Sequence, residues 1–242
     1  MILKISNLTK KYKDFIAVDN LNLQVDRGEI FGLLGHNGAG KSTTIECVLG
    51  IKKIDNGQVS LLGMNPVKDR KKLFQSVGVQ LQESNFLNKI KVKEVCEMTS
   101  SFYERPFEYK ELLKEFSLSN KIDNFVADLS GGERQKLSVL LALLPNPKII
   151  FLDELTTGLD PKARREIWSK LKALKDKGVS IFLTSHYMDE VEYLCDRIMI
   201  MKRGKEVICD SPQNVIKKSG KASLEEAYLL YIGEEEMEYE VI

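Results

Sequence analysis

The stretch GLLGHNGAGKSTT, residues 32–44, sets four glycines and a lysine directly behind an apolar run. Glycine weakens a strand and costs backbone entropy. The local structure gains nothing from this spacing, so it serves the close approach of a ligand to the main chain. Residues 35–42, GHNGAGKS, satisfy the G-x-x-x-x-G-K-[ST] pattern, with strand character before it and helix character after it. Gly35, Gly38 and Gly40 let backbone N–H groups curl around an anion, and the helix that follows adds its positive end. Lys41 reaches β- and γ-phosphates, the Ser42 hydroxyl ligates Mg²⁺ and Thr43 donates to an α-phosphate. Asn37 and Ala39 complete the loop, and His36 occupies a variable position to which no chemistry is assigned.

IIFLDE supplies the matching acid. Asp153 closes a hydrophobic strand, where its carboxylate can hold Mg²⁺ through water. Successive strand residues face opposite ways, so Glu154 suits a different task, orienting or deprotonating the water that attacks the γ-phosphate. These two motifs specify a phosphoryl-transfer enzyme. LSGGERQK, residues 129–136, opens a further helix. Ser130-x-x-Glu133 reads as a capping box, while Gly131 and Gly132 leave N–H groups bare, a second anion-binding helix end without a second phosphate loop.

Net charge over 242 residues is +1, so no basic field draws in nucleic acid or an anionic membrane. Cys47, Cys96, Cys195 and Cys209 show no metal or redox spacing and read as reduced, buried thiols. The N-terminus has no signal-peptide pattern, and no apolar run approaches the ~18 residues a membrane helix needs. Alternating apolar residues through Val25 predict antiparallel β-structure leading into a buried strand. KSTTIECVLGI predicts a helix ending near Gly50, and NGQVSLLG a turn followed by a strand. Residues 85–146 read as an inserted helical subdomain rich in apolar side chains, among them Phe86, Leu87, Phe102, Tyr103 and Phe107. Beyond it, strands at KIIFLDE and VSIFLTSH alternate with a helix that Asp160 caps, whose face is Ala163, Ile167, Leu171 and Leu174 and which stops at Gly178. This alternation predicts a mainly parallel sheet covered by helices. RIMIMKRGKEVICD predicts a hairpin at Arg203–Gly204, two short helices follow, and the acidic residues 234–242 read as a solvated tail.

With these motifs on one chain, residues 1–233 resemble the ATP-binding subunit of ATP-binding cassette (ABC) transporters. The resemblance implies an α/β P-loop NTPase fold of the ABC ATPase type, with a mainly parallel core, an N-terminal antiparallel β subdomain and the inserted helical subdomain. It implies that LSGGE is the signature motif, through which Ser130, Gly131, Gly132 and Glu133 contact the γ-phosphate of ATP held by a second nucleotide-binding subunit, identical or paralogous. Tyr12, in NLTKKYKDF, matches the aromatic that stacks on adenine, and Val18 a residue lining the base. Gln82, in GVQLQES, matches the glutamine joining the Mg²⁺ site to the helical subdomain, with Gln80 the competing choice. Asp160, in TTGLD, matches the loop crossing the dimer interface, and His186, in LTSH, the switch histidine on the γ-phosphate. Two departures stand out: Leu155 replaces a frequent proline, and Glu133 a frequent glutamine.

The implied activity is ATP hydrolysis with Mg²⁺, driving an integral membrane permease from the cytoplasmic side of the cell membrane as a peripheral subunit. VGVQLQESNFLNKIKV, ELTTGLDPKARREIW and TSHYMDEVEYLCDRI most resemble subunits paired with ABC-2-type export permeases. An importer motor is the alternative. A soluble ABC ATPase acting on DNA or ribosomes is disfavoured by the single cassette, the lack of heptads and the near-zero charge. A P-loop kinase would leave LSGGE without a task.

Overall fold

The computed structural model describes residues 1–80, 86, 89–154, 156 and 159–233. They form two compact units, one of Met1–Arg70 with the chain from Phe182 onward, the other Lys71–Ile181.

In the first unit, β1 (Leu3–Tyr12) and β2 (Phe15–Val25) pair antiparallel, from Leu3 opposite Val25 to Tyr12 opposite Phe15. On β2, Val18, Leu21, Leu23 and Val25 are buried, as the alternation predicts; on β1 the buried residues are Leu3, Ile5 and Leu8, whereas Lys4, expected in phase with Ile2 and Leu8, is exposed. The chain then enters β3 (Ile30–Leu34), buried at every position, and α1 (Lys41–Val48). It returns to the antiparallel sheet as β4 (Asn56–Leu61), giving the order β2-β1-β4. Here the Asn56–Gly57 pair, expected as a turn, lies inside the strand. Gly57 (φ 91°) passes the bulge at Asn7 (φ 51°), where a Cβ would run into the Asn7 backbone.

The second unit begins with α2 (Arg70–Leu73) at its boundary and β5 (Val77–Gln80). Sequence reading missed β5, because four residues including Gly78 are too short to show alternation. Between β5 and β6 (Ile149–Asp153), which pair parallel, the described residues form α3 (Val92–Ser100), α4 (Tyr109–Glu115), α5 (Gly131–Leu143) and two 3₁₀ turns, with no strand. Gly78 lets β5 lie against α5, since a Cβ there would overlap the Ala142 carbonyl. α6 (Pro161–Asp176) buries Ile167, Trp168, Leu171 and Leu174. Trp168 thus completes the face, and the expected Ala163 is only half-buried.

The fully buried β7 (Ser180–Thr184) leads to α7 (Met188–Leu194), which the sequence reading did not identify. In the first unit β8 (Arg197–Lys202) runs parallel to β3 and turns through Arg203 (φ 49°) and Gly204 (φ 77°) into antiparallel β9 (Lys205–Asp210). Helices α8 (Pro212–Ser219) and α9 (Leu224–Ile232) follow, as expected. The acidic tail lies outside the described residues. The fold is α/β, with mostly parallel strands and an N-terminal antiparallel sheet. No helix among the described residues is long and apolar enough to cross a membrane.

Candidate nucleotide site

The phosphate loop joins β3 to α1. Gly38 (φ 83°) and Gly40 (φ 105°) hold left-handed conformations that other residues resist. A Cβ on Gly40 would overlap the Ala17 carbonyl, whereas a Cβ on Gly38 would meet nothing within 4 Å. The loop is therefore packed on its inner side and open at Gly38. Gly40 is the N-cap of α1 and gives it no side-chain cap, and the first turn contains no acid. The helix end is left ready for an external anion. Lys41 is 4% exposed and folds back so that Nζ donates to the carbonyls of Gly35 (2.6 Å) and His36 (3.1 Å). Ser42 in the same first turn is exposed and Thr43 half-buried, while Thr44 bonds back to the Gly40 carbonyl at 2.8 Å. The loop is anchored to the β8–β9 turn by Gly204 N donating to Ala39 O at 3.0 Å.

Tyr12 ends β1 with its ring partly exposed, a placement suited to stacking. Val18 is 0% exposed. It lies on β2 with its side chain buried. His186 follows β7 and is exposed. Its loop is held by a buried pair that sequence reading did not single out: Ser185 Oγ donates to the Glu190 carboxylate and accepts from Tyr187 N at 3.0 Å.

In the second unit, Asp153 ends β6 at 4% exposure. Glu154 lies just beyond the strand, half-buried, at φ 53°. The expected divergence of the two carboxylates therefore cannot come from strand alternation. Glu154 instead holds a left-handed backbone, a conformation disfavoured for glutamate and concentrated at functional sites. Gln82 and Leu155 lie outside the described residues; the competing Gln80 is buried at the end of β5.

The signature segment forms the expected capping box: Ser130 N donates to Glu133 Oε2 (2.9 Å) and Glu133 N to Ser130 Oγ (3.2 Å). The Ser130 amide, and then Lys121, hold the Glu133 carboxyl below its ordinary value. Gly131 opens α5 without a positive φ, and a Cβ on it would meet nothing within 4 Å. The fold places no demand for glycine there. Asp160 caps α6 by accepting from Lys162 N (2.9 Å) and Ala163 N (3.0 Å), and those amides, Ala163 first, hold its carboxyl below the ordinary value. Ser130, Gly131, Gly132, Glu133, Leu159 and Asp160 border one cleft of about 480 Å³. The structure thus brings the signature and the Asp160 loop together within this unit.

Comparison with known proteins agrees with this geometry. The ABC transporter family model matches residues 18–157. The probable multidrug ABC transporter ATP-binding protein YbhF of Escherichia coli K12 is 34% identical over 98% of this chain and 43% of its own length. The Nod factor export ATP-binding protein I of Rhizobium meliloti is 38% identical over 88% of this chain and 65% of its own. The chain thus spans less than two thirds of either relative. Among solved structures, an ATP-binding subunit of an ABC transporter superposes with a TM-score of 0.88 at 27% identity, covering 96% of this chain and 100% of that one. The ATP-binding cassette MJ0796, as a dimer in a post-hydrolysis state bound to ADP and Pi, gives 0.78 at 26% identity, covering 86% and 98%. The chain belongs to the ABC transporter family, and its fold is that of the family's ATP-binding cassette.

Proposed function

We propose that this chain binds ATP with Mg²⁺ and hydrolyses it as the motor subunit of an ABC-2-type exporter. The observation that carries the reading is the pair of helix ends prepared for anions. α1 has neither cap nor acid behind its glycine loop; α5 has the Ser130 cap and Glu133 in its first turn, but also a glycine, Gly131, that its own packing does not require. One chain with two such ends fits two ATP molecules shared between two cassettes, each bound by the phosphate loop of one and the signature of the other.

Lys41 turns from the loop carbonyls to β- and γ-phosphate oxygens, and the amides of residues 35–43 surround the same phosphates. Mg²⁺ prefers octahedral oxygen ligation with few protein groups. The exposed Ser42 hydroxyl and the buried Asp153 carboxylate would each offer an oxygen ligand to it, with Gln82 as a third, and no cluster of three His, Cys, Asp or Glu stands ready among the described residues. Mg²⁺ held there would neutralise charge on the phosphate oxygens. Glu154 accepts the proton of the attacking water, and His186 hydrogen-bonds the γ-phosphate.

The export relatives and the ABC-2-like segments support an outward-directed permease, with this chain peripheral on the cytoplasmic face of the membrane. The exposed Phe102, Phe107 and Met98 of the helical segment suit contact with that permease. Co-expression with a candidate ABC-2-type permease tests both parts. The purified assembly should hydrolyse MgATP, and Lys41→Ala, losing a charge-assisted contact worth about 1.5–3 kcal/mol, should weaken ATP binding about 10- to 150-fold with assembly retained. Wild-type turnover in Lys41→Ala would contradict the site, and recovery of no integral membrane protein would contradict the exporter role.

A further inference from the structure

The base platform has a support that none of the motifs predicts. Tyr12 is 39% exposed at the end of a strand, a position where a ring is free to change rotamer. Two ammonium groups hold it instead: Lys10 Nζ lies 5.0 Å and Lys52 Nζ 5.3 Å from the ring centroid, both within cation–π range. Each lysine is itself anchored. Lys52 follows the end of α1, where its backbone N–H donates to Glu46 O at 3.1 Å and its Nζ pairs with Glu46 Oε2 at 2.7 Å. Lys10 Nζ pairs with Asp55 Oδ2 at 3.4 Å; the same oxygen accepts from Lys11 N at 2.6 Å, and Asp55 N donates to Thr9 O at 2.9 Å. The Glu46 carboxylate, and then the Tyr12 hydroxyl, raise the Lys52 ammonium above its ordinary value.

Glu46 belongs to the helix that begins at Lys41. A continuous path therefore runs from the phosphate loop along α1 to Glu46, across to Lys52 and onto the ring. Phosphate and base are two ends of one ligand, and fixing the span between their contacts removes an ordering cost that binding would otherwise meet.

We infer that Lys52 is a positioning residue for the nucleotide base: anchored by Glu46, it holds the Tyr12 ring at a set distance from the phosphate loop. The inference rests on the reading of Tyr12 as the base-stacking aromatic. Removing Lys52 should weaken a ligand that has a base and spare one that has only phosphates.

The test uses calorimetric titration of the full chain with MgATP and, separately, with magnesium tripolyphosphate, which has no base. Lys52→Met should weaken ATP roughly 3- to 10-fold and leave tripolyphosphate within about twofold. In turnover the change should fall on KM and not on kcat. Lys52→Arg, keeping the cation, should restore ATP affinity. Glu46→Gln should move ATP affinity in the same direction by less, a second route to the result should Lys52→Met fold poorly. Tyr12→Ala separates the two claims. If it weakens ATP and Lys52→Met does not, the Lys52 inference is overturned and the stacking reading stands. If Tyr12→Ala leaves ATP unchanged, the stacking reading fails and takes the inference with it. Equal losses for ATP and tripolyphosphate in Lys52→Met would show a purely structural role for α1 and would also overturn the inference.

Discussion

Gly131 shows how a single residue separates folding from function. Its backbone is helical and the space beside it is open, so the fold would accept most side chains there. A carboxylate at the first position of a helix stabilises it through the dipole, yet the same charge would repel a phosphate brought to that end. Gly131→Asp should therefore keep or slightly raise the melting temperature while reducing ATP hydrolysis at least about tenfold, the loss of one preorganised anion contact. Thermal unfolding and phosphate release, measured on the same preparation, check it. A variant that is both stable and fully active would remove the second anion site. Glu154 shows the opposite relation. Its left-handed backbone disfavours glutamate, and the residue type is explained by the chemistry proposed for it.

At the level of elements, some packing is set by one missing methyl group. β5 lies against α5 only because Gly78 has no side chain; a Cβ would overlap the Ala142 carbonyl and press on Ile150. Gly78→Ala should destabilise the protein by about 1–3 kcal/mol through overpacking, read as a lower midpoint in urea with an unchanged slope. No change in midpoint would mean that β5 and α5 are not held as described. This contact also marks the limit of what the sequence discloses. Long periodic elements such as α6, and loops with fixed residue types such as 35–42, carry their own signals, so they are legible in advance. β5, with four residues, is specified by β6 beside it and α5 against it, and α7 has seven residues and no side-chain cap. The Asn56–Gly57 pair misled for a related reason: its left-handed glycine serves a strand crossing at Asn7, which only the folded neighbour reveals. Residues that act through others were invisible in the same way. Nothing in the spacing of Lys52, Glu46, Ser185 or Glu190 distinguishes them from surface or core residues until Tyr12 and the His186 loop are seen beside them.

For the whole molecule, the central claim of the proposed function is that one chain supplies only half of each ATP site, so that ATP joins two cassettes, identical or paralogous, and hydrolysis parts them. Glu154→Gln keeps shape and hydrogen bonding at the base but removes its charge and basicity, so binding and hydrolysis become separable. The capping box at Ser130–Glu133 and the Asp160 cap shape the signature cleft. The direct measurement is size-exclusion chromatography with light scattering on Glu154→Gln, with and without saturating MgATP. The account predicts a monomer without nucleotide and a stable dimer with ATP, the dimer abolished when Ser130→Arg is added, and only transient dimers for the wild type. A Glu154→Gln chain that stays monomeric at saturating ATP and high protein concentration would contradict it.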